Sequence, residues 1–272
     1  MSKIVTSEKS IAGFVSVGYR VYVKARKGCA KRAAAPEQLA LFKQRGGKRR
    51  GAGRPPKSHR AGAPHTQRPF LAERYPVHVT LRVVPEIGSL RKRAMYAAIR
   101  QATLTAASHG MIRIVQISIQ RRHLHLLVEA KNKKMLAVGI QSFEISAARH
   151  LNVAVGKIRR QPRRRGSVFV DRYHAEIIKS PTQARNALMY LLANWRKHGE
   201  DGVAPMSTWK FDWFSSAPQF AYWTEYGEEA FLWRLPVTYE PLWVWRPQTW
   251  MLAEGWKKLS SSISYREAPA SR

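Results

Sequence analysis

Residues 121–129 read RRHLHLLVE and place two histidines one residue apart inside an apolar run. On a β-strand, residues i and i+2 point to the same face. His123 and His125 would then project side by side, while Leu124 and Leu126 point into a core. Two imidazoles on one face can bind a divalent metal. The same short motif also occurs in strands whose half-buried histidines bind nothing, so the surrounding sequence must decide between the two interpretations.

A second pair of candidate residues lies on a helix predicted to run from Pro181 to Gly199. Tyr190 and Asn194 are four residues apart and therefore share one face of that helix. Taken alone, the pair is more typical of a packing tyrosine and a polar residue near a helix end. Combined with the His-x-His strand, the predicted core and the strong positive charge, it indicates a functional site.

The chain has 272 residues, 44% of them hydrophobic, and a formal net charge of +31. Such an excess of positive charge attracts polyanions, so nucleic acid is the predicted partner. Cys29 is the single cysteine, which excludes an internal disulfide and a cysteine-only metal site. We find no apolar run of about 18 residues and no secretory signal, so we expect no membrane span and a cytoplasmic protein.

The charge divides the chain into three segments. Residues 1–75 carry 18 Lys and Arg against 3 acidic residues, and residues 76–199 carry 23 against 5. Residues 200–272 carry 7 against 9 and hold eight of the nine tryptophans. We therefore predict a basic arm at 1–75, a basic core domain at 76–199 and a Trp-rich extension at 200–272.

The arm is rich in Lys, Arg, Gly and Pro between residues 43 and 68. It has too few apolar residues to offset the entropy of ordering, which predicts a largely disordered segment. Its Gly-Arg-Pro sequence resembles hooks that insert an arginine into the DNA minor groove, although a solvated basic linker is an equal alternative. The arm residues predicted to contact nucleic acid are Lys48, Arg49, Arg50 and Arg54.

The core segment alternates strand and helix patterns in the order β-α-β-β-α-β-α. The predicted elements are a strand at 77–83, a helix capped by Ser89 and ended by Gly110, a strand at 111–119, the His-x-His strand, a helix at 133–152, a strand at 168–178, and a helix capped by Ser180. The first six elements follow the split βαββαβ, or ferredoxin-like, plan of an α+β fold. We expect the His-x-His strand to be central, with helices on one sheet face and an open face lined by His78, Thr80 and Arg82.

On these residues the chain resembles the REP-associated tyrosine transposases of bacteria, which are single-tyrosine HUH (His-hydrophobic-His) transposases. The resemblance rests on His123-Leu124-His125, on DRYHAE at 171–176 and on YLLAN at 190–194. It covers residues 76–199. The arm and the Trp-rich extension resemble, with less specificity, one branch of the family.

The resemblance implies an enzyme that cuts and rejoins single-stranded, hairpin-forming DNA. Tyr190 would attack a phosphate, giving a 5′-phosphotyrosine and a free 3′-hydroxyl. His123, His125 and Asn194 would bind magnesium or manganese. Tyr173 is a rival nucleophile without an asparagine four residues on. The neighbouring His174 is expected to line the site or to pack rather than to bind metal.

The predicted partner is single-stranded or hairpin DNA, and the sequence leaves open whether the protein is a monomer or a homodimer. The core residues predicted to contact nucleic acid are Arg121, Arg122, Arg163, Arg164, Arg165 and Arg172. The alternative function is a non-catalytic DNA- or RNA-binding protein on the same fold. An RNA-recognition module would carry aromatic residues on its third strand, where this chain carries histidines.

The Trp-rich extension is interrupted by prolines, which predicts only short elements. Its aromatic residues are expected to pack on the core domain. Stacking on exposed bases is the functional alternative, at about 1–3 kcal/mol per base.

Overall fold

A computed structural model describes residues 67–197, 199, 210–226 and 239–267. All of these belong to one unit of the chain, residues 56–272. The four arm residues predicted to contact nucleic acid, Lys48, Arg49, Arg50 and Arg54, lie outside the described residues, as do Trp209 and Trp233 of the extension.

Four antiparallel strands form one sheet in the described part of the chain, and the fold is α+β. The strands are β1 (Val77–Arg82), β2 (Arg113–Ile119), β3 (His123–Glu129) and β4 (His174–Ile177). Their order across the sheet is β2-β3-β1-β4, so the His-x-His strand β3 is central, as predicted.

Three long helices and one short helix accompany the sheet. They are α1 (Arg93–His109), α2 (Lys133–Arg159), α3 (Pro181–Lys197) and α4 (Trp250–Ala253). The predicted order β-α-β-β-α-β-α is observed through α3. None of the described helices combines the length and apolarity needed to cross a membrane.

Helix α1 begins later than the sequence predicted. The Ser89 hydroxyl accepts a hydrogen bond from the Arg91 backbone N–H instead of capping the helix, which starts at Arg93 after an uncapped Lys92. The predicted end is observed, because Gly110 follows the last turn with a φ of 63°, a left-handed conformation that glycine adopts without steric cost.

Helix α2 is longer than predicted and continues past Asn152 to Arg159. Asn152 resembles a helix end in sequence, but its side chain is buried and accepts a hydrogen bond from Arg164 in the following loop. The helix ends only where Arg160 takes a left-handed φ of 55° and its N–H returns to the carbonyl of Gly156.

Strand β4 is shorter than the predicted strand at 168–178. Only His174–Ile177 pair continuously with β1. Upstream, the chain meets the end of β1 at one isolated bridge between Val83 and Phe169. The residues between the bridge and β4 form no regular element, and most of them are exposed.

One face of the sheet packs on α1 and α2. Val77, Val79 and Leu81 of β1 and Leu124 and Leu126 of β3 are all fully buried in this core. Alternation along each strand sends these side chains to one face, as the sequence pattern predicted.

The opposite face is not as open as predicted, because α3 and parts of the extension cover much of it. Leu127 of β3 and Val115 of β2 point to this side and pack in a second core with Leu188 and Leu191 of α3. Leu127 follows His125 by two residues, so the same strand face is polar at its start and apolar further along. Helix α3 therefore packs over the apolar part and leaves a cleft over the histidines.

The extension packs in this second core through part of its tryptophans. Trp223 and Trp256 are buried there, as the packing interpretation predicted. Three others are at least one third exposed: Trp243, Trp245 and Trp250.

Two buried carboxylates anchor the extension to the sheet domain. Asp212 forms a two-pronged ion pair with Arg91 at 2.8 Å, and both side chains are almost fully buried. Glu129, the last residue of β3, accepts hydrogen bonds from the N–H groups of Gln248 and Thr249 ahead of α4. Burial raises the pKa of Asp212, while the adjacent Arg91 lowers it.

Candidate active site

His123 and His125 project side by side from the start of β3. Their ring centroids are 4.8 Å apart and the rings are nearly perpendicular. His125 is 4% exposed, whereas His123 is half-buried at the strand end. Antiparallel pairing sets Thr80 of β1 opposite His125 and Arg82 opposite His123. The expected placement of the two imidazoles on one face is therefore observed.

Strand β1 fixes the ring of His125. The His125 Nδ1 atom lies 3.1 Å from His78 Nε2 and 3.2 Å from the Thr80 hydroxyl, both within hydrogen-bonding distance. Such contacts set the tautomer and the orientation of a histidine ring. Because Nδ1 is engaged by β1, a ligand would have to bind His125 through Nε2.

Tyr190 of α3 faces this pair of strands. Its ring centroid lies 5.1 Å from that of His125, with an interplanar angle of 90°, and 5.7 Å from that of His78. The buried neighbours Leu188 and Leu191 hold α3 against the sheet, which fixes the direction in which Tyr190 projects. The structure thus brings together the tyrosine and the His-x-His strand that the sequence singled out.

Asn194 lies one helical turn after Tyr190 and is fully buried. Among the described residues, neither the oxygen nor the nitrogen of its amide has a hydrogen-bond partner. An unpaired buried polar group costs about 1–3 kcal/mol, so buried amides normally have partners. An amide in this state is suited to a ligand that supplies the missing contact.

His78, His125, His174 and Tyr190 share a cleft of about 500 Å³ between the sheet and α3, whereas His123 and Asn194 are not among its described lining residues. Its described lining comprises His78, Thr80, His125, His174, Glu176, Ile178, Gln183, Asn186, Ala187, Met189, Tyr190 and Lys197. His174 lines the site, as the sequence predicted. Gln183 and Asn186 were not predicted, although their spacing from Tyr190 matches one face of α3 and could have identified them.

Lys197 is the basic residue that the described cleft contains. Its Nζ atom lies 5.6 Å from the centroid of the Tyr190 ring. The adjacent Arg196 points elsewhere and donates to the backbone carbonyls of Lys210 and Tyr265. A cation beside Tyr190 favours a phenolate and a bound phosphate, both of which are negatively charged.

Part of the sequence that forms this cleft is similar to a known protein family. Residues 73–191 match the family described as "Transposase IS200 like". The match spans less than half of the chain, and over these residues the chain is similar to IS200-like transposases. The family comprises HUH single-stranded DNA transposases and endonucleases, and DNA binding and transposition are its activities. The matched residues include His123, His125 and Tyr190, whereas Asn194 lies beyond them.

Two solved structures resemble the chain at low scores. A REP-associated tyrosine transposase bound to a REP hairpin is 14% identical, covers 57% of this chain and 84% of its own, and has a TM-score of 0.42. A protein from Deinococcus radiodurans R1 assigned as a transposase is 13% identical, covers 52% and 97%, and has a TM-score of 0.33. No curated protein matches the chain significantly. The similarity to IS200-like transposases rests on the sequence match of residues 73–191.

The rival tyrosine lies in the core. Tyr173 is 8% exposed and packs in the core shared by the sheet and α2. The Arg68 guanidinium stacks 3.6 Å above its ring and donates to its backbone carbonyl. Burial raises the pKa of Tyr173, which disfavours the phenolate that a nucleophile needs.

The basic residues of the core domain are placed in three groups. Arg121 and Arg122 are exposed in the turn that leads into β3. Arg163 and Arg165 are exposed beside a cleft of about 480 Å³ that follows α2. Arg164 instead binds Asn152 and the carbonyl of Ser167, so it holds the loop in shape. The remaining predicted contact, Arg172, is exposed ahead of β4.

Transposases of this family are typically metal-dependent. The described residues include no group of three or more His, Cys, Asp or Glu side chains arranged for a metal ion. The set predicted from sequence differs from such a group, because it combines two imidazoles with the amide of Asn194. Two imidazoles and an amide oxygen are donors that suit a divalent metal, and His123 and Asn194 are not among the described residues that line the cleft of His125.

Proposed function

We propose that this protein cuts and rejoins single-stranded DNA, with Tyr190 as the nucleophile. The observation that carries the proposal is the position of Tyr190, whose ring meets His125 edge-on at 5.1 Å in the cleft. Tyrosine forms covalent intermediates when nearby groups activate its hydroxyl. The match of residues 73–191 to IS200-like transposases supports the same reaction class.

The arrangement of the sheet supports the proposal at the level of the fold. The strand order β2-β3-β1-β4, with α1 and α2 on one face, corresponds to the ferredoxin-like split βαββαβ plan. Helix α3 is then an added element that presents Tyr190 to the other face. We retain the division into an arm at 1–75, the transposase domain at 76–199 and an extension at 200–272.

The reaction begins when the Tyr190 hydroxyl oxygen attacks the phosphorus of a DNA phosphodiester. The bond from phosphorus to the 3′-oxygen breaks, leaving a 5′-phosphotyrosine and a free 3′-hydroxyl. Tyr190 loses one proton and the departing oxygen gains one, so the step is balanced. A free phenol has a pKa of about 10, which makes its ionisation cost about 4 kcal/mol at pH 7. Lys197 lowers that cost by stabilising the phenolate. Rejoining is the reverse attack by a 3′-hydroxyl.

His123, His125 and Asn194 would hold a divalent metal, magnesium or manganese. The ion, when bound, offsets negative charge on the scissile phosphate and positions it. Thr80 and His78 orient His125 for this role, through their contacts with Nδ1. Three protein ligands leave coordination positions for phosphate oxygens.

The DNA would be held mainly through its phosphates. Arg121 and Arg122 are exposed at the entrance to β3, so they can contact the strand next to the cleavage site. Arg163 and Arg165 extend the positive surface beyond α2, and the basic arm adds further phosphate contacts. The proposed substrate is a DNA hairpin. The proposed location of the protein is the cytoplasm, in association with DNA.

The test is the formation of a covalent protein–DNA adduct. Labelled hairpin DNA with single-stranded flanks is incubated with the protein and magnesium, and the products are separated on a denaturing gel. The parent should form an adduct, and Tyr190→Phe should form none while binding the same DNA. Tyr173→Phe is the matched control and should retain the adduct. If no adduct forms with the parent, a non-catalytic DNA-binding protein replaces the proposed enzyme.

A further inference from the structure

A third cleft lies on the outer side of α1, on the face of the sheet opposite Tyr190. It has a volume of about 360 Å³, within the range of about 300–1,000 Å³ that is usual for small-molecule sites. Four aromatic side chains line it, together with two arginines. This aromatic cleft is lined by Arg93, Tyr96, Ala97, Arg100, Trp213, Phe214, Tyr239 and Glu240.

The walls of the aromatic cleft are held in place by polar contacts. The Tyr96 hydroxyl donates to the carbonyl of Glu240 at 2.9 Å. Arg100 donates to the carbonyl of Pro241 and pairs with the Glu240 carboxylate at 2.9 Å. The rings of Trp213 and Tyr239 meet edge-on with centroids 5.2 Å apart, and those of Tyr96 and Phe214 do so at 6.0 Å. The cleft is therefore largely formed before any ligand binds.

The lining is neutral and aromatic, with one cation at its edge. Burial and the neighbouring Tyr239 raise the pKa of Tyr96, so both phenols remain neutral at physiological pH. Arg100 is neutralised by Glu240. Arg93 is exposed, and no carboxylate of the described residues pairs with it. A ligand that joins a planar ring to a negative charge would complement the neutral aromatic lining and the cation of Arg93.

One wall of the aromatic cleft, Phe214, lies beside the edge strand β2. The Ile119 N–H at the end of β2 donates to the carbonyl of Phe214 at 2.8 Å, and Ser118 bridges to Ser215. Phe214 therefore lies one strand spacing beyond β2 and two beyond β3, which is about 10 Å at about 4.8 Å per spacing. To reach the cleft, DNA that leaves the histidine end of the sheet would pass around the outer edge formed by Phe214 and Ser215, from the α3 face of the sheet to the α1 face.

We infer that the aromatic cleft binds an unpaired base of the single-stranded DNA that flanks the cleavage site, with Arg93 on the adjoining phosphate. The inference rests on the proposed function for its choice of ligand. Aromatic side chains accept any base by stacking, which suits a strand recognised without pairing. The cleft would hold the flank while Tyr190 acts on the phosphate between the flank and the hairpin.

The test measures DNA binding without cleavage, in a Tyr190→Phe background. Three labelled DNAs are compared by fluorescence anisotropy: a blunt hairpin, the hairpin with a short thymidine extension, and the same extension without bases. Trp213→Ala should weaken binding of the thymidine extension about 5- to 150-fold, as expected for the loss of one stacked base. It should change binding of the blunt and abasic DNAs little. Trp245→Ala, an exposed tryptophan outside the cleft, is the control.

Two further variants keep the inference testable if Trp213→Ala fails to fold. Trp213→Phe retains a stacking ring and should retain preference for the extension. Arg93→Ala, at the exposed edge, should reduce the logarithmic salt slope on the extended DNA by about 0.7, as one phosphate contact is lost. Its neighbour Lys92 does not line the cleft, and Lys92→Ala should leave the preference for the extension intact.

The inference is overturned if the parent binds thymidine and abasic extensions equally, or if Trp213→Ala and Arg93→Ala weaken binding of the blunt hairpin as much as of the extended one. The adduct assay decides the proposed function separately. If binding depends on the base but no adduct forms, the aromatic cleft binds a base and the cleavage mechanism is wrong. If an adduct forms but binding does not depend on the base, the cleavage mechanism stands and the role of the cleft is wrong.

Discussion

Glu129 anchors the C-terminal extension to the strand that carries the histidines, and its removal should destabilise the protein strongly. The carboxylate is fully buried at the end of β3. It accepts hydrogen bonds from the N–H groups of Gln248 and Thr249 and, at 2.7 Å, from the Thr249 hydroxyl. It also pairs with Arg113 at 3.0 Å. Thr249 directly precedes α4, so the carboxylate fixes the start of that helix to the end of β3.

The expected loss follows from the groups that Glu129→Ala leaves unpaired. Two backbone N–H groups and one hydroxyl would lose their acceptor, at about 1–3 kcal/mol each. Arg113 is partly exposed and can turn to solvent, so it adds little. Losses within one network are not additive, and breaking a buried pair typically costs about 3–5 kcal/mol in total. Glu129→Gln retains one acceptor oxygen and should cost about 2 kcal/mol.

Urea denaturation measures the free energy of unfolding directly, provided that the slope with denaturant is unchanged. Glu254→Ala is the matched control, since Glu254 belongs to the same extension but forms an exposed pair with Lys257. Exposed pairs contribute about 0–1 kcal/mol. If Glu129→Ala is no less stable than Glu254→Ala, the anchoring role assigned to Glu129 is wrong.

Three other predictions concern the candidate site and the stability of the domain that carries it. His123→Ala and His125→Ala should each abolish cleavage but leave DNA affinity nearly unchanged in anisotropy titrations, because phosphate contacts supply most of the binding; a chelator should act in the same way. Thr80→Val should slow cleavage about 10- to 100-fold by releasing His125, whereas Thr80→Ser should restore the rate measured on gels. Burial raises the pKa of Glu144 from 4.5 to about 7, so the folded state binds the proton more tightly than the unfolded state. Stability should therefore fall as pH rises from about 4.5 to 7, and thermal denaturation of Glu144→Gln should show no such contribution.

The strands and the placement of their side chains were predictable because alternation with a period of two is a local signal. It correctly oriented His123 and His125 to one face and Leu124 and Leu126 to the other. The same rule, applied one residue pair further, would have shown that Leu127 makes the histidine face partly apolar. That side chain explains why α3 covers a face that was expected to be open.

The boundaries that the sequence missed depend on contacts between distant residues. Ser89 has the chemistry of a helix cap, but Arg91 two residues later is committed to Asp212, far along the chain. This ion pair keeps the segment before α1 from joining the helix. Asn152 likewise resembled a helix end, and only the return of Arg164 from the following loop shows it as a buried residue within α2.

The residues of the candidate site could be proposed from the sequence, but their arrangement could not. Spacing alone placed Tyr190 and Asn194 on one face of a helix, and resemblance to a known family supplied their expected roles. The sequence could not distinguish Arg196 from Lys197 as the cation near Tyr190, since adjacent helix residues point about 100° apart and tertiary packing selects between them. The contacts of His78 and Thr80 with His125 depend on strand register, which no local pattern fixes.

Peptide mapping of the covalent adduct tests the central claim most directly. The parent protein is allowed to react with hairpin DNA, the adduct is digested with protease and nuclease, and the modified peptide is identified by mass spectrometry. The proposed mechanism predicts a nucleotide attached through a 5′-phosphate to Tyr190. A modified Tyr173, or an adduct that leaves Tyr190 unmodified, would contradict the assignment of the nucleophile to α3.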